Sequence, residues 1–249
     1  MSEIRHLSVA PTVWQEHAAG AVIGRHRHDE HQIVYVSVGV LAVRTEAGTW
    51  VAPSTRAVWL PGGTWHSHRF YGASSFHTVG FSVADAVLGT DGPAIISVTG
   101  LLSELLVACT DAALSEPERR RIRAVLRDQC RRLPQQPVSL RTPQDARLAA
   151  ACEEVTRDLS TPKRLGELAR ASGASERTLA RLFRTEMGMT YPQWRNTIRV
   201  YQAMINLAEG MTISATAHDC GWATPSAFIE GFRSVTGQTP RTYQLASGA

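Results

Sequence analysis

A chain of 249 residues, 43% hydrophobic and 19% charged, has ordinary globular composition and is filled by two domains of roughly 100–150 residues each. No stretch offers the roughly 18 charge-free apolar residues of a membrane span, and the N-terminus lacks a basic run followed by an apolar core, so a cytoplasmic, membrane-free protein is expected. The net charge of +4 rests on arginine, with Lys163 the sole lysine; the planar guanidinium fork suits phosphate and guanine, which on its own favours a nucleic-acid partner only slightly.

From about His6 to Val83, apolar residues alternate in short runs broken by turn residues, the pattern of half-buried antiparallel strands. Val34–Val38 reads as one strand and Leu41–Arg44 as the next. Glu46-Ala47-Gly48 follows as a hairpin loop, and Ala57–Leu60 runs into a sharp Pro61-Gly62-Gly63 turn. This spacing predicts a barrel or sandwich. After Gly89–Pro93 the period becomes helical: Leu101, Leu102, Leu105, Leu106 and Ala108 share one face, and Ile122, Val125, Leu126 and Cys130 share another on a basic helix from Pro117 to Leu133. That pair is either a dimer seam or a cap over the sheet. Cys109, Cys130, Cys152 and Cys220 form no Cys-x-x-Cys pair and read as reduced thiols. The proline-rich stretch Leu133–Pro143 reads as a linker, and beyond Ala146 every periodic segment is helical. The expected organisation is a sensing barrel over 1–90, a helical pair over 91–134, a linker over 135–145 and an all-helical domain over 146–249.

Two stretches of the second domain repeat one pattern. Leu165–Ala171 is a short helix, Gly173 permits a tight turn, Ser175 is an N-cap, and Glu176–Arg184 is a second helix burying Leu179, Leu182 and Phe183. About 48 residues on, Ile213–Cys220, Gly221 and a helix burying Phe228 and Phe232 do the same. Tyr191–Glu209 joins the copies as one long helix. Two helix-turn-helix units so joined are hard to obtain by chance. Ser175, Glu176, Arg177, Thr178, Arg181 and Arg184 stand on the DNA side of the first unit. Thr224, Ser226, Glu230 and Arg233 stand on that of the second.

From about Pro162 to Tyr243 the chain closely resembles the DNA-binding domain of the AraC/XylS regulators. The resemblance is carried by Ile213, Ala217, Cys220-Gly221-Trp222, Ser226-Ala227-Phe228, Phe232-Arg233, Thr236-Gly237-Gln238-Thr239-Pro240 and Tyr243. Trp222 stands where tyrosine is usual, and Glu230 where a basic or neutral residue is common. The resemblance implies two reading helices entering successive major grooves, with Arg177, Thr178 and Arg181 weighted above the second set and Arg184 and Gln193 as phosphate contacts. It also implies a homodimer on promoter DNA, and RNA polymerase as partner if the protein is an activator.

In the strand-rich half, Gly20, His26-Arg27-His28, Gln32 and Gly39, followed by Pro61-Gly62-Gly63-Thr64-Trp65-His66, resemble the two motifs of the cupin superfamily. His26 and His28 are two apart on one strand and share a face, with Gln32 and His66 able to converge on them. Three imidazoles suit Zn²⁺, Ni²⁺, Fe²⁺ or Cu²⁺. Gln32 stands where metal-binding cupins carry glutamate and is a weaker neutral ligand. At this stage a metal set, the wall of an organic-effector pocket and packed histidines all remain open. His31, His68 and His77 follow no spacing rule. Tyr35, Trp59, Trp65 and Phe81 are candidate pocket walls or core.

The fold expected is therefore α+β in two domains: an antiparallel cupin-like barrel with flanking helices, then an all-helical domain with two helix-turn-helix units. The function expected is sequence-specific transcription regulation controlled by a small molecule or metal, with no catalysis. A cupin metalloenzyme carrying an accessory DNA-binding tail is the alternative.

Overall fold

The computed structural model describes residues 5–85, 87–132, 135–136 and 140–246, so Leu133, Pro134 and residues 137–139 of the expected linker lie outside the described residues. The chain divides into two compact units, 1–139 and 140–245.

The first unit carries β1 (Arg5–Leu7), β2 (Val13–His17), β3 (Val22–His28), β4 (His31–Thr45), β5 (Gly48–Pro53), β6 (Arg56–Leu60), β7 (His66–Phe81) and β8 (Ala94–Ser97). These are followed by α1 (Gly100–Cys109), α2 (Glu116–Arg132) and β9 (Gln135–Gln136). The long strands β4 and β7 pair along their whole length as an antiparallel ribbon, His31↔Phe81 at one end and Thr45↔His66 at the other. Each changes neighbour midway. The first half of β4 pairs with β6 and the second half with β5, while β7 pairs first with β3 and then with β2.

The ribbon bends where its register shifts between Val36 and Val40. Gly39 lies there at a φ of 84°, and a Cβ on it would run into Ser74 and the Ala73 carbonyl, so a side chain has neither the backbone freedom nor the space to replace it. Val34–Val38 and Leu41–Arg44 are thus the two halves of one bent strand rather than two strands.

The bend folds the sheet over on itself. Val34, Val36, Val58, Leu60 and Phe76 from one half pack against Leu41, Val43, Trp50, Ala52 and Phe70 from the other. The pairings run along an open path, β1-β3-β7-β4-β6-β8-β9, with β2 and β5 branching off, and its ends do not pair among the described residues. The expected closed barrel is corrected to this open, folded sheet: the bulged ribbon encloses the core by bending, and no further strand pairing is needed to seal it. The opposite face of the β4–β6 half, including Ile33, Tyr35, Trp59, Val79 and Phe81, is covered by Leu102, Leu106 and Cys109 of α1 and Leu126 and Cys130 of α2. Leu101 and Val125, expected on those buried faces, are 54% and 45% exposed. Each sits one residue, about 100°, off the seam that Leu102, Leu106 and Leu126 define.

The second unit carries α3 (Ala146–Arg157), α4 (Leu165–Ala171), α5 (Glu176–Glu186), α6 (Tyr191–Ala208), α7 (Ile213–Asp219), α8 (Pro225–Thr236) and α9 (Pro240–Ala246). Its helices start on side-chain caps: Ser175 accepts from the Thr178 amide, Thr190 from Gln193, Thr212 from Ala215 and Thr224 from Ala227. One core gathers Leu148, Leu168, Ala169, Leu179, Leu182, Phe183, Tyr191 and Trp194 around the first helix pair. Around the second pair, Trp222, Phe228, Phe232 and Tyr243 form a chain of ring contacts 4.8–5.7 Å apart.

Candidate functional site

Three histidines converge inside the folded sheet. His26 on β3 is in register with His66 on the neighbouring β7, and His28 follows two residues after His26 on the same face. One nitrogen from each lies within 4.8 Å of those from the other two, and all three side chains are buried. The turn after β6 holds the pieces together, because the Gly63 amide donates to the His28 carbonyl (2.6 Å) and the Gly62 amide to Nδ1 of His31 (2.9 Å). Gln32 enters from the half of β4 paired with β6, beside Leu60 and Gly80.

The ring tautomers follow from the neighbours. Nδ1 of His26 lies 2.8 Å from the Gly24 carbonyl and Nδ1 of His66 lies 2.8 Å from the Thr64 carbonyl. A carbonyl only accepts, so each Nδ1 carries the proton and each Nε2 keeps its lone pair. Backbone carbonyls orient metal-binding imidazoles in this way. Nε2 of His66, both ring nitrogens of His28 and His68, and Oε1 of Gln32 are buried without a hydrogen-bond partner. Burial in a folded protein leaves few polar atoms so exposed to cost, about 1–3 kcal/mol each.

Burial also keeps the rings neutral. It lowers His28 to about 4 and His66 to about 3, with the neighbouring His26 acting in the same direction, and it lowers His26 and, most strongly, His68. At neutral pH these imidazoles hold no extra proton for an incoming cation to displace. His26, His28 and His68, with Gln32, border a cavity of about 370 Å³ whose wall also includes Leu7, Val13, Ile23 and Phe76 alongside Arg5, Gln15, Arg25 and Thr78. Buried, neutral, nitrogen-only donors with unused lone pairs fit a divalent transition ion and do not fit a hard, oxygen-seeking one.

His68 follows no spacing motif, yet it is 2% exposed and its ring centroid lies 5.1 Å from His66 and 5.5 Å from His26. Its His66-x-His68 alternation repeats that of His26-x-His28 and is the signal that marks it. His77 lies elsewhere, beneath α1, hydrogen-bonded to Ser37 (3.0 Å) and Thr110 (2.8 Å). The aromatic residues do not line one pocket. Tyr35, Trp59 and Phe81 pack in the core beneath the helices, whereas Trp65 lies under the guanidinium groups of Arg25 and Arg27, each 5.1 Å from its ring.

In the second unit the candidate DNA face of the first helix-turn-helix is α5. Ser175, Glu176, Arg177, Arg181 and Arg184 are exposed, and Thr178 is half-buried with its hydroxyl against Ser175. Ala169 lies buried where α4 crosses α5, and the turn is closed by the Ala174 amide on the Ala169 carbonyl (2.8 Å). Gln193 is exposed, with its carbonyl oxygen accepting from the Thr190 amide and hydroxyl, so only its NH₂ remains to donate outward. In the second helix-turn-helix, Thr224, Ser226, Glu230 and Arg233 are exposed along α8.

The second turn is braced from α6 by a residue that the sequence did not single out. Arg199 donates to the Cys220 carbonyl (2.5 Å) and stacks on Trp222 at 3.9 Å. Burial lowers it to about 10, which leaves it charged at neutral pH. Gly221, at φ 75°, packs so closely that a Cβ would run into the Leu159 carbonyl.

A folded sheet with a histidine-lined cavity, joined to a double helix-turn-helix, defines a one-component regulator class: one half holds a ligand and the other reads DNA. Residues 12–151 match the AraC-like ligand binding domain and residues 168–246 match the Helix-turn-helix domain, and the chain belongs to the AraC family. It is an AraC-type transcriptional regulator with a DNA-binding domain and a ligand-binding domain. It is 29% identical over 221 residues to the HTH-type transcriptional regulator NimR of Escherichia coli (strain K12), covering 88% of this chain and 81% of that protein. It is 37% identical over 76 residues to the HTH-type transcriptional activator RhaR of Cronobacter sakazakii, covering 30% of this chain and 27% of that protein. Among solved structures it resembles the DNA-binding domain of AdpA in complex with a target DNA, at 30% identity and a TM-score of 0.39, covering 41% of this chain and 93% of that one. Among the described residues no helix is long and apolar enough to cross a membrane.

Proposed function

We propose that this regulator is controlled by a divalent transition metal, Zn²⁺, Ni²⁺, Fe²⁺ or Cu²⁺, held by His26, His28 and His66. The carrying observation is the convergence of their three nitrogens within 4.8 Å in a buried site. The cavity leaves space beside the ion for a small organic ligand, so the metal is either the signal itself or its anchor. Control requires that the occupied first unit favour or disfavour the DNA-competent state; equal affinity for both states shifts nothing.

Arg177, Thr178 and Arg181 read base edges in the major groove, with Ser175, Glu176, Arg184 and Gln193 positioning α5. Thr224, Ser226, Glu230 and Arg233 make the second groove contact. Glu230 can accept from cytosine N4 but cannot contact a phosphate favourably. The protein works as a homodimer in the cytoplasm, for which the exposed Leu101 and Val125 offer apolar surface, with RNA polymerase as a partner where it activates. It carries no catalytic activity; the curated relatives it matches are named as regulators.

The test is metal content by mass spectrometry on untagged protein, wild type against His26→Ala/His28→Ala. Near-stoichiometric metal in the wild type alone supports the reading. Metal-free wild type that still binds DNA overturns it in favour of a second reading, an organic effector without metal. That reading is favoured by one observation: a 370 Å³ cavity with mixed apolar and polar walls exceeds what a bare ion needs.

A further inference from the structure

We propose that the organic ligand of this site is a small carboxylate, and that Arg5 is the residue that recognises it beside the metal. The inference rests on the metal reading above and names the chemistry of the molecule that shares the cavity. A divalent ion on His26, His28 and His66 is held by neutral nitrogens alone, so its full double charge stays in buried surroundings. A charge so placed requires a counter-charge close by. The cavity wall supplies none: no aspartate or glutamate lines it among the described residues, and Gln32 is neutral. The charged side chains that do line it are Arg5 and Arg25, both positive.

Arg25 is committed elsewhere, to Glu46 (2.6 Å) and to the Trp65 ring. Asp29, next to His28 in the chain, is exposed and pairs with His6 (2.7 Å). The Arg5 side chain makes no ion pair among the described residues. It is placed by pairing: β1 runs parallel to β3 with Arg5 opposite His26 and Leu7 opposite His28, which sets Arg5 and Leu7 on the histidine side of the sheet. Its charge reaches the His26 ring, where it opposes protonation. Arg5 thus disfavours the bare ion and favours an anion, so metal and anion each bind better with the other present. A carboxylate offers the missing charge, an oxygen donor for the position that three protein ligands leave open, and a planar fork that a guanidinium matches. Its hydrocarbon part can rest on Leu7, Val13, Ile23 and Phe76, a surface that phosphate would leave uncovered. At about 370 Å³ the space suits a small molecule.

The experiment loads full-length protein with Co²⁺, whose visible absorption reports its ligands, and titrates in acetate, benzoate, their neutral amides acetamide and benzamide, and inorganic phosphate. Wild type, Arg5→Met, Arg5→Lys and His26→Ala/His28→Ala are compared; Arg5 is exposed, so its replacement leaves the core untouched. At least one carboxylate is expected to shift the wild-type spectrum and to bind about 10-fold more tightly than its amide. Arg5→Met should weaken that carboxylate about 10-fold without weakening Co²⁺ binding, and Arg5→Lys should restore most of the loss. A spectrum that neither carboxylate shifts, an amide or phosphate that binds as tightly as the better carboxylate, or an affinity unchanged in Arg5→Met overturns this inference while the metal reading survives. Co²⁺ uptake that is no weaker in His26→Ala/His28→Ala than in wild type overturns the metal reading and this inference with it.

Discussion

Replacing His68 with phenylalanine should stabilise the metal-free protein. The imidazole is buried with one N–H and one lone pair unmet, each costing about 1–3 kcal/mol. A phenyl ring keeps the stack on His66 and the edge contact with Phe76, and the adjoining cavity takes its extra volume. Allowing for imperfect repacking, the net gain is about 2 kcal/mol, or about 4–8 °C in Tm for a unit of this size. The assay is thermal unfolding followed by circular dichroism in excess chelator. Adding Zn²⁺ to 100 times the wild-type Kd should stabilise wild type by about 2.7 kcal/mol. A variant that melts below wild type in chelator would refute the reasoning, because it would mean that the His68 nitrogens are satisfied in the apo protein.

Three other outcomes follow from the same geometry. Arg177→Ala and Arg181→Ala should each weaken binding to a selected operator by about 1–3 kcal/mol and relax base preference at one position, with Tm unchanged; equal affinity in both variants, measured by fluorescence anisotropy, would place the reading helix elsewhere. His77, His28 and His66 have folded pKa values lowered from 6.5 to about 4, 4 and 3 by burial, so the stability they confer is full above pH 6.5 and is lost as pH falls through those values, where the unfolded chain takes up protons first. Urea midpoints of metal-free protein should therefore fall from pH 7 to pH 4.5, with a shallower slope in His77→Gln, and a flat profile contradicts this. Gly221→Ala should destabilise the second unit by about 2–4 kcal/mol, combining a left-handed backbone with collision against Leu159, whereas Gly173→Ala, at φ 69° but with open space around its Cβ position, should cost about 1 kcal/mol; chemical denaturation of the two variants tests the difference.

What the sequence determined by itself is what depends on near neighbours. The two helix-turn-helix units are legible because a helix is a local object: Ser175 and Thr224 cap the helix that follows them, Gly173 and Gly221 adopt the left-handed backbone that a tight turn needs, and Leu179, Leu182 and Phe183 repeat with the helical period. The same locality puts His26 and His28 on one face of one strand. Tertiary structure decided what that face meets. Gly39 reads as a break between strands, yet it is the bulge of one bent ribbon, because the carbonyl and side chain that crowd it come from Ala73 and Ser74, far along the chain. The bend in turn folds the sheet over and leaves its edges open. It turns Tyr35, Trp59 and Phe81 toward the helices, away from the histidines, and sets β7 beside β3 so that His66 and His68 face His26. Strand alternation fixes which side chains share a face, but the neighbour across that face is chosen by long-range pairing and burial, whose free energy belongs to residues distant in sequence.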